Sequence, residues 1–247
     1  MKWSVVTLFP EMFSDFLTCS IIGRAVEDKK LFVQLVNPRD FAVDKHRQCD
    51  DYPFGGGPGM VLKPEPVAAA LDSLQGKGKR VIYVSPGGRV FDQEYARKLS
   101  LDEELILVCG HYEGIDQRII DLYVTDEISI GDYILTSGET AAMVVIDAVS
   151  RLLDGVISDD SHDCESFSNG LLEYPQYTRP REFRGEIVPD ILLSGHHEEI
   201  RKWRLARSIE KTMQNRPDLL EKPITSDEIR KILFEKGVED NGTSKKS

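Results

Sequence analysis

Three glycine-bearing segments, each following a run of apolar residues, are the places where this chain could do chemistry. They are Ser85-Pro86-Gly87-Gly88, Gly110-His111-Tyr112-Glu113-Gly114 and Gly131-Asp132-Tyr133. Glycine lets a backbone approach a bound molecule closely, so three such loops in succession point to one ligand held largely by main chain. None of them matches GxxxxGK[ST] or GxGxxG, which removes support for a nucleoside triphosphate or a Rossmann-bound dinucleotide. A fourth segment, Pro53-Phe54-Gly55-Gly56-Gly57-Pro58-Gly59-Met60, carries more glycine than a plain connector needs and reads as a close-approach loop or lid. His162, Asp163, Cys164 and Glu165 have the chemistry of metal ligands. Their crowded spacing and the lack of a second ligand pair argue against a structural metal site.

The loops need a scaffold, and the periodicity supplies one. Ser4 to Phe9, Leu31 to Val36, Arg80 to Ser85, Leu105 to Cys109 and Glu127 to Ile130 are short, apolar and bounded by turn residues. Between them, Glu11 to Leu17, Pro64 to Leu74, Asp92 to Leu99 and Asp116 to Tyr123 have apolar residues at helical spacing, and a longer helix is expected from Glu139 to Leu153. Continuous apolar strands alternating with helices predict an α/β domain, roughly residues 1–157, with a parallel sheet covered on both faces. The three glycine loops would then all lie at the carboxyl edge of that sheet. The polar, acidic stretch 158–170 reads as a flexible linker. Beyond it, Glu198 to Met213 and Ser226 to Lys236 read as helices of a small, mostly helical domain over 171–238, followed by a disordered tail over 239–247.

The net charge of -11 argues, by itself, against a nucleic-acid partner. Its distribution argues the other way. Arg201, Lys202, Arg204, Arg207, Lys211 and Arg216 crowd one stretch, and Arg179, Arg181 and Arg184 another, so positive charge gathers in the C-terminal third. Such a run reads equally as a solvated helix face. Four scattered cysteines with no CxxC pairing suit free thiols in a reducing compartment. No apolar run is long enough for a membrane span, and the N-terminus has no signal-peptide pattern. The expected location is the cytoplasm.

Seven segments carry a specific resemblance: LFPEMF at 8–13, NPRDF at 37–41, FGGGPGM at 54–60, CGHYEGID at 109–116, SIGDYILTSGE at 129–139, SFSNGLLEYPQYTRP at 166–180 and LLSGHHEEIRKWR at 192–204. In this order and spacing the chain resembles the bacterial tRNA (guanine-37-N1)-methyltransferase family, of the trefoil-knotted SPOUT superfamily. The resemblance implies a sheet with a deep C-terminal trefoil knot, S-adenosyl-L-methionine as methyl donor, tRNA as substrate and a homodimer with a composite active site. Carried over by position, donor contacts fall on Tyr83, Ser85 and Pro86 in the first loop. In the second they fall on Gly110, Tyr112 and Glu113, and in the third on Ile130, Gly131, Asp132, Tyr133, Ile134, Leu135 and Gly138. The same resemblance puts Asp50, Gly59, Glu113 and Arg151 at the target guanine and its neighbour, and Arg201 and Arg204 on the tRNA backbone. Magnesium is compatible with it, yet no ligand set for magnesium is legible in the residues.

The resemblance also implies a mechanism. N1 of guanine carries a proton at neutral pH, so methylation there needs a base and gains from stabilising charge on O6. Glu165 would be the base and Arg151 the O6 partner. Other readings of these residues stay open: Arg151 as a helix-dipole partner, Glu165 as solvated charge, Glu113 as the cap of the helix near Ile115, and Asp163 as the base instead. Ribose 2′-oxygen methylation and a catalytically silent RNA-binding protein remain alternatives at the level of function. Three departures from the family pattern stand out: Ser137-Gly138-Glu139-Thr140-Ala141 for the usual Gly-Gly-Glu-Leu-Pro, His111 for arginine, and Glu165 for aspartate.

Overall fold

The computed structural model describes residues 1–157, 166–167, 170–221 and 229–232. Two compact units divide the chain, Met1–Ser158 and Asp159–Ser247. The first is built on a five-stranded sheet of β1 (Lys2–Val6), β2 (Phe32–Val36), β5 (Val81–Val90), β6 (Glu104–Cys109) and β7 (Asp126–Ser129). The strand order is β2-β1-β6-β5-β7, and every pairing in it is parallel. The parallel sheet expected from the sequence is therefore present. A short antiparallel pair, β3 (Asp50–Asp51) and β4 (Val61–Leu62), frames the glycine-rich segment.

Alternate side chains of the strands face two separate cores, which is why the strands read as unbroken apolar runs. One core joins Trp3, Val5, Ile82, Leu105, Leu107 and Ile128 to α2 (Ser20–Glu27), α4 (Gln93–Leu99) and α6 (Gly138–Ser150). The other joins Val6, Val81, Tyr83, Ile106 and Val108 to α3 (Pro64–Ser73) and α5 (Gln117–Tyr123). Trp3 is fully buried on the α6 side, and its Nε1 donates to Ser150 Oγ at 3.3 Å.

Around the sheet, three further differences from the expected elements stand out. The helix expected from Glu11 to Leu17 is a 3-10 turn, Pro10–Phe13, continued by α1 (Ser14–Thr18). Helix α2 was not expected at all. The third strand does not end at Ser85. Val84 and Arg89 both stand opposite Ile128, so Ser85 to Gly88 bulge out and pairing resumes through Val90.

The order of the strands decides where a ligand can sit. The chain places β5 next to the outer position, returns to insert β6 between β1 and β5, then crosses to β7 at the edge. Such reversals open a crevice beyond the carboxyl ends of the strands.

In the second unit, β8 (Glu182–Phe183) and β9 (Glu186–Ile187) form a hairpin that the sequence reading lacked. It precedes the helix α7 (His197–Asn215). Leu171, Ile209 and Ile229 are the buried centre of this unit. Residues 229–232 are helical, and the rest of the helix expected over Ser226 to Lys236 lies outside the described residues, as does the tail. Among the described residues no helix is long and apolar enough to cross a membrane.

Candidate functional site

The bulge of β5 and the loops leaving β6 and β7 line a cavity of about 180 Å³ at the carboxyl edge of the sheet. Tyr83, Ser85 and Pro86 line it from β5, Gly110, Tyr112 and Glu113 from the β6 loop, and Ile130, Gly131, Tyr133, Ile134, Leu135 and Gly138 from the segment entering α6. Of the positions assigned to the donor, only Asp132 stays off the wall. His111, Ser129 and Ser137 also line the cavity and were missed, although each directly adjoins an assigned position.

Main chain holds the loops together. Gly138 N–H donates to the Gly110 carbonyl at 2.8 Å, and His111 and Ser137 form an antiparallel bridge. Gly131 N–H reaches Ser129 Oγ at 3.2 Å, and Ser85 Oγ bonds Glu127. Burial, assisted by the charge of Glu127, pushes the Tyr83 hydroxyl above its ordinary pKa, so it stays protonated at the cavity wall. The His111 ring sits 4.9 Å from Phe9 and 4.4 Å from Tyr112, with its Nδ1 buried and unpartnered. Behind the cavity, the fully buried Glu139 accepts from Thr7 Oγ1 at 2.7 Å, which ties the start of α6 to the carboxyl end of β1.

Among the described residues Glu113 is the one carboxylate on the cavity wall, and it is clasped by the glycine-rich segment. Met60 N–H donates to Glu113 Oε2 at 3.2 Å, and Glu113 N–H donates to the Met60 carbonyl at 3.1 Å. Gly59 adopts φ +84°, and a Cβ there would fall 1.9 Å from the Glu113 carboxylate. Any side chain there would strain the backbone and displace the Glu113 carboxylate. Gly55, Gly56 and Gly57 differ: each has positive φ but open space where a Cβ would lie, so their close approach is not seen. Glu113 is therefore not the helix cap. That role belongs to Asp116, whose Oδ1 accepts from Arg118 N–H at 2.9 Å at the start of α5.

The remaining assigned residues lie off the cavity wall. Asp50 pairs with Leu62 in the β3–β4 ribbon. Arg151 is the half-buried C-cap of α6, where it also meets the helix dipole. Arg201 pairs with Glu198 at 2.9 Å and Lys202 with Glu199 at 3.0 Å along α7, as on a solvated helix face. Arg204 breaks that pattern by lying over the Tyr174 ring at 4.8 Å. Glu165, Asp163 and the other members of the crowded metal-like group lie outside the described residues.

Comparison with known proteins bears on the same residues. Residues 1–222 match the profile of the family described as tRNA (Guanine-1)-methyltransferase TrmD. A Treponema denticola protein named tRNA (guanine-N(1)-)-methyltransferase is 59% identical over 239 residues, covering 95% of this chain and 98% of the relative. Proteins of the same name from Alkaliphilus oremlandii and Caldanaerobacter subterraneus subsp. tengcongensis are 60% and 56% identical, covering 87% and 97% of this chain and 90% and 100% of theirs.

Proposed function

The chain belongs to the tRNA (guanine-1)-methyltransferase family, and on that premise we propose that it moves the methyl group of S-adenosyl-L-methionine to N1 of guanosine-37 in tRNA. One observation carries the reading: three glycine-bearing segments of adjacent parallel strands converge on one cavity, and Glu113, the one carboxylate among the described residues lining it, is clasped by the glycine-rich segment. The donor fits those walls. Ile130, Ile134 and Leu135 suit a flat base, and Glu113 suits a cationic sulfonium. Gly110 and Gly138 let the walls pack closely, since a Cβ at Gly110 would come 2.9 Å from the Tyr83 hydroxyl and one at Gly138 2.7 Å from Gly110 N. The bound donor supplies an electrophilic methyl group. In this reading the loops form the deep trefoil knot.

The chain's own residues do the rest. A carboxylate, Glu165, takes the N1 proton, while the guanidinium of Arg151 faces O6 and stabilises the charge that gathers there. Asp50, Gly59 and Glu113 border the target guanine, which must leave its stack to be reached. Arg151 does not line the cavity of its own chain, which supports a homodimer in which each site draws on both subunits. Residues 1–157 would hold the donor, 158–170 would act as the linker, 171–238 would bind tRNA and 239–247 would stay uninvolved.

The test is incubation with labelled S-adenosyl-L-methionine and unmodified tRNA, followed by nucleoside analysis. It should yield 1-methylguanosine, and label in a ribose 2′-O-methyl nucleoside would overturn the reading. In the same assay Glu165→Gln should slow single-turnover transfer by about 10²- to 10⁴-fold. Asp163→Asn should be neutral, and the reverse pattern would make Asp163 the base. Mixing Arg151→Ala with Glu165→Ala subunits should restore part of the activity, because one site of the heterodimer then carries neither defect. No recovery in confirmed heterodimers would place both residues in one subunit.

A further inference from the structure

The second unit holds a cavity of about 410 Å³ that the proposed reaction leaves without a role. It lies between the segment from Tyr174 to Arg181, the turn Asp190–Leu193 and helix α7. Its wall has three kinds of group. Val188, Leu192, Leu193 and Ile200 supply apolar surface, and Leu193 is 54% exposed. Tyr174 and Tyr177 supply aromatic faces. Arg204 covers the first at 4.8 Å, while the Tyr177 ring lies 6.3 Å from Trp203 and is 49% exposed. Arg179, Arg181 and Arg204 supply positive charge, and no carboxylate among the described residues lines the cavity.

That composition is selective. Across a chain of net charge -11, a wall with three arginines and no acid is the reverse of the average surface. Arg181 is committed to Asp190 at 2.7 Å, whereas Arg179 and Arg204 make no ion pair among the described residues. A free phosphate would have no use for four aliphatic side chains. An apolar peptide or a second copy of this chain would gain nothing from unpaired guanidiniums. A nucleobase uses both: its faces stack on tyrosine and arginine planes, and its backbone brings the negative charge. Thr178 on the same wall offers a hydroxyl to its polar edge.

We propose that this cavity takes one unstacked nucleobase of the tRNA, other than the target guanine, with its ring against Tyr177 and a neighbouring phosphate on Arg179. The proposal rests on the reading of tRNA as substrate and adds a second, side-chain-built base site to it. Such a site would hold the loop open on one side while the target base leaves its stack.

The experiment uses the full chain and an unmodified tRNA transcript, with binding measured across a salt series. Wild type must bind and methylate this tRNA; if it does neither, the parent reading falls and this proposal with it. Given that control, Tyr177→Ala should weaken tRNA binding by about 5- to 150-fold, the usual worth of one stacked base. Tyr177→Phe should stay near wild type, and Tyr177→Leu, which keeps apolar bulk without a π-face, should fail as Tyr177→Ala does. The slope of log affinity against log salt should be unchanged by Tyr177→Ala and should fall by about one with Arg179→Ala. Among transcripts made abasic at single unpaired positions of the target loop, one should weaken wild-type binding and cost Tyr177→Ala nothing further. Tyr177→Ala binding like wild type, or no abasic position absorbed by it, overturns the proposal. So does a shift in the sedimentation of the free protein with unchanged tRNA affinity, which would assign the cavity to contact between copies.

Discussion

The two ends of the central sheet are held by different means. At the amino end the geometry is kept by charged side chains: Arg80 reaches Asp102 at 2.9 Å and Asp126 at 2.8 Å, while Lys2 and Lys79 meet Glu104 at 2.8 and 2.9 Å. Tyr95 OH adds a donor to Asp126. At the carboxyl end no ion pair is found among the described residues that line the cavity. There the loops are joined by main chain, as in the 2.8 Å bond from Gly138 to Gly110. Charges that satisfy one another leave nothing for a ligand, so they suit the end that only has to stay closed. Backbone groups brought together by glycine keep donors and acceptors available. Stability and binding should therefore respond to different substitutions.

The largest effect expected is at Gly138. A Cβ there would stand 2.7 Å from Gly110 N and 3.0 Å from Cys109 Cα, and neither main-chain atom can move aside alone. Gly138→Val should pry the β6 loop from the start of α6 and weaken S-adenosyl-L-methionine binding by about 10²-fold or more, as misplacements near 1 Å do. Titration calorimetry reads the affinity. Unchanged affinity in a variant with a lowered melting temperature would mean that the cavity is not built by the close approach of these loops.

A smaller effect, of the opposite kind, is expected at Asp126. Burial works to raise its pKa, but hydrogen bonds from Arg80, Tyr95 and Thr125 outweigh it and hold the carboxyl at about 2. A pKa depressed in the folded state gives stability that is complete above the ordinary carboxylate range and is lost as pH falls from about 4 to about 2. The depression corresponds to about 2 kcal/mol, so Asp126→Asn should lower the melting temperature by roughly 4–8 °C at neutral pH. The variant should also lose that part of the acid dependence, while its donor affinity stays within about twofold of wild type. Equal acid dependence in the two proteins would remove the carboxylate from its role as a lock.

The glycine half of this contrast was legible in the residues, the charged half was not, and the exceptions have physical causes. Leu105 to Cys109 read as a buried strand because both of its faces meet a core. Ser85 to Gly88 read as the end of a strand because proline and glycine signal turns, yet the bulge only interrupts pairing. Helix α2 was missed although Ile21, Ile22, Ala25 and Val26 have helical spacing. Its Gly23 stands where a Cβ would strike the Thr18 carbonyl at 2.5 Å. The three loops at the carboxyl edge could be found from their glycines. The clasp of Gly59 on Glu113 could not, because nothing in the segment 53–60 tells which glycine will meet a partner. The roles of Arg151 and Glu165 came from family resemblance alone, since a helix-end arginine and an acid among acids have no local signature.

The smallest effect is expected at Glu104, and it is the sharpest test of the separation. Lys2 and Lys79 both form ion pairs with its carboxylate and hold its pKa below the ordinary value. The three side chains keep 26–38% of their surface exposed, so water screens the pairs and their worth is below about 1 kcal/mol. Glu104→Gln should lower the melting temperature by about 1–4 °C, less than Asp126→Asn. In 1 M salt, where the Debye length falls to about 3 Å, most of that difference should vanish. The position matters more than the magnitude. Glu104 opens β6, and the same strand delivers Gly110 to the cavity directly after Cys109. If disturbance travels along the strand, this substitution should carry it. Donor affinity and the rate of methyl transfer should be those of wild type, because Ile106, Leu107 and Val108 between the two ends are fixed by both cores and not by the charge. A fall in donor affinity larger than the loss of stability accounts for would show that the charged end also sets the geometry of the glycine end.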